Sequence, residues 1–297
     1  MTEADERSFD IPGLSGLLTP TDSFYQVDIN SVNPNVSANR WNLRVTGAVE
    51  NEIELSYDDL TSMSVEHRFA TLRCVGEPLN GEKMDTALWT GVPVNRFLKA
   101  AGTPDECCVI LRAEDDYYEE FPLSALRNGF LAFGMNGRLL PRKHGYPVRA
   151  LVPGHWGEIN VKWLSEIEVL EKPVEGFWEK KGWHGTGPVE TVAKLHAENH
   201  GDDGTVQLAG HTYAGTRGID RVEVSVDGGK SWQNATLGPK LPGPDVWRQW
   251  RFEWKPRVGK KDVVVRAVDG EGRVQPEEFS GPFPSGSSGW VTQTIEG

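Results

Sequence analysis

Short runs in which apolar and polar residues alternate predict that the chain is built mainly from strands. Two stretches favour helices instead. Ser56 is a potential N-cap for a short helix over residues 56–60, and residues 92–102 have proline near the start and glycine at the end. In the first half, strands are predicted at 41–45, 69–75, 107–111, 148–152 and 166–170. Because strands and helices interleave without a regular repeat, this half is predicted to be α+β.

The pattern changes near residues 171–190, which have the proline and glycine content of a linker. Only strand patterns follow, at 206–210, 222–226 and 263–268, and Asp227-Gly228-Gly229-Lys230 is typical of a hairpin turn. Strands at this spacing predict an all-β, immunoglobulin-like sandwich. We therefore expect an α+β domain over residues 1–185, beginning with a loose arm over 1–20, and a sandwich over 186–297.

Length and charge narrow the classes of function. A chain of 297 residues is long for one core and sufficient for two. The net charge of −12, without a basic stripe, argues against binding to nucleic acid. Because no run of about 18 apolar residues occurs, no membrane span is expected. The acidic N-terminus lacks the features of a secretory signal, so we expect a cytoplasmic location, or a periplasmic or other extracytoplasmic one if an export signal has been removed.

Three cysteines are too few for a disulfide framework. Cys107 and Cys108 begin an apolar run and are expected to pack as small hydrophobic residues in a buried strand. Cys74 ends a predicted strand just before Gly76, where it could serve either as a packing residue or as a ligand of a bound group. A zinc site at Cys74 is a weaker alternative, because the ligand spacing typical of zinc sites is missing.

A second stretch, residues 141–163, concentrates cationic and imidazole side chains among glycines. Glycine lets main-chain N–H groups approach an anion, and arginine and lysine match phosphate oxygens. The stretch therefore predicts a site for an anionic cofactor, with a plain basic loop as the alternative. Its cationic and imidazole side chains are Arg142, Lys143, His144, Arg149, His155 and Lys162.

Several segments, in order along the chain, resemble the sulfite oxidase family. Leu72-Arg73-Cys74-Val75-Gly76, Trp89-Thr90-Gly91-Val92-Pro93-Val94 and residues 144–163 resemble its molybdopterin-binding domain, as do the shorter segments 19–25 and 134–142. Residues 220–232, 265–269 and 274–276 resemble the C-terminal dimerisation domain of the family. The resemblance extends over roughly residues 19–295.

The resemblance implies a molybdenum atom held by a pyranopterin dithiolene, with Cys74 as the protein thiolate on the metal and the catalytic residue. An ionised Cys74 beside Arg73 is expected. The resemblance also implies that one set of side chains lines the cofactor and that another set holds the pterin and its phosphate. The first set is Phe24, Tyr25 and Gln26, and the second is His144, Arg149 and Lys162. Asp116 matches an acidic position near the pterin, with a turn carboxylate as the alternative.

The implied function is a molybdenum-dependent two-electron oxo transfer on a small sulfur-containing or related substrate. No haem or dinucleotide motif occurs, so electrons are expected to pass to or from an external protein, cytochrome-like or quinone-linked. The dimerisation domain implies a homodimer. The alternative is a non-catalytic scaffold or interaction protein with a degenerate cofactor domain.

The sequence departs from the family where sulfite would bind. Sulfite-oxidising members carry arginines after the N-terminal aromatic pair and after the cysteine, whereas residues 24–29 and 74–79 contain none. Trp183 stands where the family has an active-site tyrosine. Glu77 and Asp28 would repel an anion if both face the pocket. The pocket is therefore expected to bind sulfite poorly.

Overall fold

The structure, a computed structural model, describes residues 6–296. The helices described in full are α1 (Tyr57–Thr61), α2 (Asn95–Ala101) and α3 (Leu123–Leu126). The strands of the first domain are β1 (Asn42–Gly47), β2 (Ile53–Ser56), β3 (Glu66–Arg73), β4 (Met84–Pro93), β5 (Cys108–Ala113), β6 (Tyr118–Pro122), β7 (Phe130–Met135), β8 (Arg138–Leu139), β9 (Arg149–Leu151) and β10 (Leu164–Leu170).

The strands of the second domain are β11 (Val192–Ala193), β12 (Ala197–His200), β13 (Val206–Tyr213), β14 (Ile219–Ser225), β15 (Gln233–Asn234), β16 (Thr236–Leu237), β17 (Arg248–Trp254), β18 (Lys260–Asp269) and β19 (Val291–Glu296). The described chain is thus mostly β, with few and short helices. None of the helices within residues 6–296 combines the length and the apolar character that a membrane crossing requires.

The two predicted helices form where local signals favour them. Ser56 and Asp59 make a reciprocal capping box at the start of α1. Gly102 ends α2 with a φ of 66°, a left-handed conformation that glycine adopts without strain. The prediction for α2 began too early, because Val92 and Pro93 belong to the end of β4.

Two sheets sandwich the core of the first domain. One sheet has the order β2-β1-β10-β5-β6, in which β1 and β10 are parallel; the other has the order β3-β4-β7-β8, with β9 also paired to β7. Their inner faces share one apolar cluster, to which Val45 and Leu111 contribute from one sheet and Val92 and Leu131 from the other. Loops at the ends of β3, β9 and β10 enclose the site described below.

The second domain consists of two antiparallel sheets, β11-β13-β17-β16 with β12 on β13, and β15-β14-β18-β19. Leu208 and Trp250 from one sheet pack with Val222 and Val265 from the other in a common core. The predicted hairpin connects β14 to β15, and the Asp227 carboxylate accepts from the main chain of the turn. The immunoglobulin-like type of this two-sheet fold stays a prediction.

The described part of the N-terminal arm is packed rather than loose, because its leucines find an apolar surface on the second domain. Leu17 and Leu18 are buried against Leu241 and Val246. The indole of Trp247 donates to the Leu17 carbonyl over 2.8 Å. Residues 1–5 of the predicted arm lie outside the described residues.

Candidate cofactor site

A cavity in the first domain gathers seven of the eight site residues predicted from the sequence. Its lining includes Phe24, Tyr25, Gln26, Cys74, His144, Arg149 and Lys162. Together with its mouth, the space between the lining atoms amounts to about 1060 Å³. Three stretches that are far apart in sequence therefore meet at one place, because β3 and β9 lie in the same sheet.

Asp116 is the predicted residue that the structure does not bring to the cavity. It is exposed on a turn with a φ of 67°, as the turn alternative anticipated. Its neighbour Asp115 lines the cavity instead, and burial raises the pKa of that carboxyl. Asp115 and Asp116 are neighbours, but their side chains lie on different sides of the turn. A match between sequences does not show which of the two points into the cavity.

Cys74 follows the last residue of β3, and its N–H donates to the Lys83 carbonyl over 2.9 Å. The thiol is half-buried, and burial raises its pKa. The Gly76 main chain and Lys83 oppose that shift, while Glu77 and Glu158 add to it. The protein alone thus disfavours the thiolate, which a bound metal cation would stabilise.

Arg73 does not lie beside that thiol, contrary to the expectation from the sequence. Its guanidinium is fully buried on the opposite side of the chain, over the ring of Trp156 at 4.7 Å, and it bonds to Ser287 in the second domain. Consecutive residues of an extended chain point to opposite faces, so adjacency in sequence separates these two groups.

Glu77 does not face the cavity either. Its carboxylate is fully buried, and Oε1 accepts from Arg73 Nε at 2.8 Å and from Lys194 Nζ at 2.7 Å. Oε2 accepts from the Lys83 N–H at 2.8 Å. The condition under which Glu77 would repel an anion is therefore not met, because the carboxylate lies outside the cavity and pairs with two cations. This ionic cluster (Arg73, Glu77 and Lys194) joins the Cys74 loop to the second domain.

Arg149 supplies a buried cation to the cavity. Its Nη1 and Nη2 donate to the carbonyls of His144 at 3.2 Å and Asn160 at 3.0 Å, and the guanidinium lies 5.1 Å from the Trp89 ring. Its Nε is buried and has no partner among the described residues. Burial lowers the pKa of Arg149 to about 10, so the side chain keeps its charge at neutral pH.

His144 lies next to Arg149 and is neutral. Burial lowers its pKa to about 4. Its Nε2 lies 2.9 Å from the Thr21 carbonyl, which accepts from a protonated Nε2 and leaves Nδ1 as an acceptor. The ring of Phe24 meets the imidazole edge-on at 5.6 Å and holds its orientation. His144 can therefore accept a hydrogen bond from a bound group without adding charge.

Lys162 and Asp28 form a half-buried ion pair at the edge of the cavity, and the Lys162 ammonium also donates to the Val27 carbonyl at 3.0 Å. Burial lowers the pKa of Lys162, and Asp28 opposes the shift. Gln26 is exposed and donates to the same carboxylate. Asp28 lines the cavity, so it meets its part of the condition stated above, but Lys162 pairs with its carboxylate.

The end of the cavity near Cys74 contains residues that sequence analysis did not assign to a site. Trp178, Tyr117 and Glu158 line it together with Trp183. A Cβ on Gly76 would lie 3.6 Å from the Trp183 ring and 3.8 Å from the Cys74 sulfur, which places the indole beside the thiol. Glu158 could have been found, because it is the one acidic residue between 144 and 163.

The other histidines of the described chain do not gather into a metal site. His155 and Trp156 do not line the cavity. Trp156 packs in the apolar core that is formed mainly by residues of the second domain. His196 and His211 contact each other away from the cavity. Over residues 6–296, no group of three or more histidine, cysteine or acidic side chains is placed to hold a metal ion.

Comparison with known proteins gives a consistent result. A family model for the oxidoreductase molybdopterin binding domain matches residues 30–178, and one for the Mo-co oxidoreductase dimerisation domain matches residues 188–281. Mitochondrial sulfite oxidase of Homo sapiens is 29% identical over 88% of this chain and 57% of its own length. Sulfite oxidase of Arabidopsis thaliana is 27% identical over 89% of this chain and 84% of its own.

This chain spans somewhat more than half the length of the mammalian relatives that it matches. The solved structure of sulfane dehydrogenase SoxCD from Paracoccus pantotrophus superposes with a TM-score of 0.78 at 22% identity, over 95% of this chain and 82% of that one. At this identity the superposition shows a shared fold.

The matched family models define a chain with an oxidoreductase molybdopterin binding domain followed by a Mo-co oxidoreductase dimerisation domain. The chain belongs to the sulfite oxidase family of molybdopterin-dependent enzymes, which confirms the resemblance seen in the sequence. Its cofactor is molybdenum bound to molybdopterin. The orphaned Arg149 Nε fits the anionic part of that cofactor, and the cysteine on the same cavity fits a metal that prefers thiolate.

Proposed function

We propose that this enzyme transfers an oxo group to or from a neutral organic sulfur compound, such as a sulfide and sulfoxide pair. The observation that carries the proposal is the composition of the cavity around Cys74, where Trp178, Trp183 and Tyr117 provide aromatic surface. Aromatic walls favour an organic ligand, and an oxyanion would need cations that could replace its hydration.

The cations of the cavity support this choice. Arg149 is the one arginine among the described lining residues, and two carbonyls already hold its Nη atoms. Asp28 neutralises Lys162. Among the cations of the lining, Lys83 is the closest in sequence to Cys74, and it is exposed to solvent. A sulfite dianion would therefore lack the bidentate grip that several arginines provide.

Different residues of the site would bind different parts of the cofactor. Arg149, Lys162 and His144 would hold the pterin and its phosphate, Phe24, Tyr25 and Gln26 would line it, and Cys74 would ligate the metal. The bound cofactor supplies the two-electron redox chemistry. Asp116 stays a prediction that its position on an exposed turn does not support. Electrons would pass to or from an external carrier protein, either cytochrome-like or quinone-linked.

The experiment is a substrate screen on molybdenum-loaded protein, after metal and pterin have been quantified. Sulfite and organic sulfides would be offered with an artificial electron acceptor, and sulfoxides with a reduced dye. We expect a higher kcat/KM for a neutral sulfur compound than for sulfite. Faster oxidation of sulfite would contradict the proposal, and preparations that bind neither metal nor pterin would support a non-catalytic scaffold.

We further propose that the second domain, with an immunoglobulin-like sandwich, mediates a two-fold homodimer. Support comes from the match of residues 188–281 to a dimerisation domain. Light scattering at micromolar concentration should give twice the chain mass of 32.9 kDa. A monomeric mass would contradict this proposal.

A further inference from the structure

Glu158 lines the cavity that also contains Cys74, and its carboxyl is buried at the wall beside Gly185. The side chain is 9% exposed, and both carboxyl oxygens are buried without a hydrogen-bond partner among the described residues. A Cβ on Gly185 would lie 2.6 Å from the Glu158 Cδ, so only glycine leaves room for the carboxyl there. A buried carboxyl in such surroundings favours its protonated form and can donate that proton to a neighbour.

A second buried carboxyl, that of Glu119, lies behind Glu158. Its Oε1 accepts from the Trp178 N–H at 2.8 Å, whereas Oε2 has no partner among the described residues. A Cβ on Gly176 would lie 1.8 Å from that Oε2, and the Gly176 N–H donates to Glu179 at 3.1 Å. Gly176 thus separates Glu119 from the half-exposed Glu179, which leads toward solvent.

Within residues 6–296, no cation is paired with either of these carboxyls. The charge of Glu179 acts on both carboxyls, and the charge of Glu158 also acts on Glu119. Both carboxyls in turn act on Tyr117, and Glu158 acts on Cys74. Lys180 donates to the Tyr118 hydroxyl, and Lys181 lies over the Phe177 ring at 3.5 Å. Burial first, and Glu179 next, raise the pKa of Glu158 to about 7, against the opposing Gly185 main chain.

Burial and the charge of Glu158 raise the pKa of Glu119 to about 8, against two main-chain donors. The two carboxyls lie on adjoining elements, since β6, which contains Glu119, packs against the turn at residues 157–159, which contains Glu158. The other titratable groups of the cavity are less suitable. His144 has a pKa of about 4, and burial raises the pKa of Tyr25 and Tyr117 well above the usual value for a phenol.

We propose that Glu158 transfers protons between the cavity and Glu119 during oxo transfer, and that Glu119 and Glu179 connect it to solvent. The inference rests on the proposed function. Reduction of a sulfoxide breaks the S–O bond, consumes two electrons from the carrier protein and two protons, and releases the sulfide and one water. Oxidation runs the same balance in reverse. Glu158 would deliver, or accept, these protons at its carboxyl oxygens.

The test compares Glu158→Gln with wild-type enzyme and with Glu168→Gln as a control. The amide introduced by Glu158→Gln would keep the shape of the side chain but could not carry the proton. Glu168 lies on β10, and its carboxylate pairs with Arg112 on β5. Infrared spectra recorded across the neutral pH range should show the carbonyl band of protonated carboxyl groups. We expect the variant at position 158 to lose one component of that band, and the control to keep every component of the wild-type band.

In molybdenum-loaded enzyme with dimethyl sulfoxide and a reduced dye, we expect the Glu158→Gln change to lower kcat by about 10²-fold or more and to leave KM unchanged. The dependence of kcat on pH near neutrality should disappear. Glu119→Gln should slow the same step, since it interrupts the route to solvent. Equal molybdenum and pterin contents would show that neither variant acts by losing the cofactor.

The proposal is overturned if Glu158→Gln keeps the wild-type infrared band, or keeps kcat within about twofold together with the same pH profile. Its failure can be distinguished from failure of the proposed function. If loaded wild-type enzyme turns over none of the sulfur compounds, the proposed function fails. The infrared comparison then decides by itself whether Glu158 holds the proton.

Discussion

Glu77 and Glu158 are two buried carboxyls on either side of the Cys74 loop, and they differ in what surrounds them. Glu77 accepts from Arg73, Lys194 and the Lys83 N–H, and none of it is exposed. Glu158 lines the cavity, and its two buried carboxyl oxygens have no cation or side-chain partner among the described residues. Burial alone therefore does not define the role of a carboxyl.

The two environments lead to opposite chemistry. Arg73 and Lys194 pair with the Glu77 carboxylate, and the cluster links the Cys74 loop to the second domain. Glu158 lies among other acidic groups, so its neutral form is favoured and it can exchange a proton near neutral pH. The first carboxylate stabilises the position of Cys74, and the second is available for the reaction.

The largest expected effect comes from Cys74, which feels the charge of both carboxyls. Cys74→Ser should reduce turnover to background, because a hydroxyl is a poor substitute for thiolate on this metal. The fold and much of the pterin binding should remain, as checked by circular dichroism and pterin fluorescence after release. If this variant retained activity, the assignment of Cys74 as the metal ligand would be contradicted.

Breaking the ionic cluster should have the next largest effect. Glu77→Gln leaves Arg73 and Lys194 buried without a counter-charge, and we expect a loss of about 3–5 kcal/mol in the free energy of unfolding. Denaturant titration measures this change. Adding Lys194→Met should restore part of the stability, since it removes one of the orphaned charges. A loss below about 1 kcal/mol would show that the cluster is not a structural link.

Glu158→Gln should change stability in the opposite direction. A raised pKa means that the folded state holds the proton more tightly than the unfolded state. The contribution of Glu158 should therefore lower the free energy of unfolding of the wild type as the pH rises from about 4.5 toward 7. The glutamine variant lacks this contribution.

By pH 8 the variant should be more stable than wild type by about 3 kcal/mol, with no difference at pH 4. Urea unfolding at both pH values measures the gap. A gap that does not depend on pH would contradict the assignment of the proton to Glu158.

The smallest effect is expected for an exposed pair. Arg44 lies 3.0 Å from Glu166, but its side chain is 57% exposed. Arg44→Ala should cost less than about 1 kcal/mol, because solvent screens the pair. Comparing the loss in the free energy of unfolding of this variant with that of Glu77→Gln shows how strongly burial affects the contribution of a salt bridge. An equal loss in both would mean that burial is not the cause.

Several elements could be predicted from local sequence because local interactions form them. The capping box at Ser56, the glycine at the end of α2 and the turn at Asp227 all appear as expected. The cofactor class could also be recognised, since its motifs are continuous segments around Cys74 and His144. Predictions failed where a side chain's direction mattered, as for Arg73 and Glu77.

The sequence by itself determined the strand-rich character of the chain, its family and the class of its cofactor, because short-range patterns and continuous motifs encode them. Tertiary structure decided which carboxyls are paired. Glu77 meets Lys194 across 117 positions, and Glu158 packs against Gly185 and near Glu119. The charge state of a buried group depends on neighbours that only folding brings together, and those neighbours cannot be inferred from the residues adjacent in sequence.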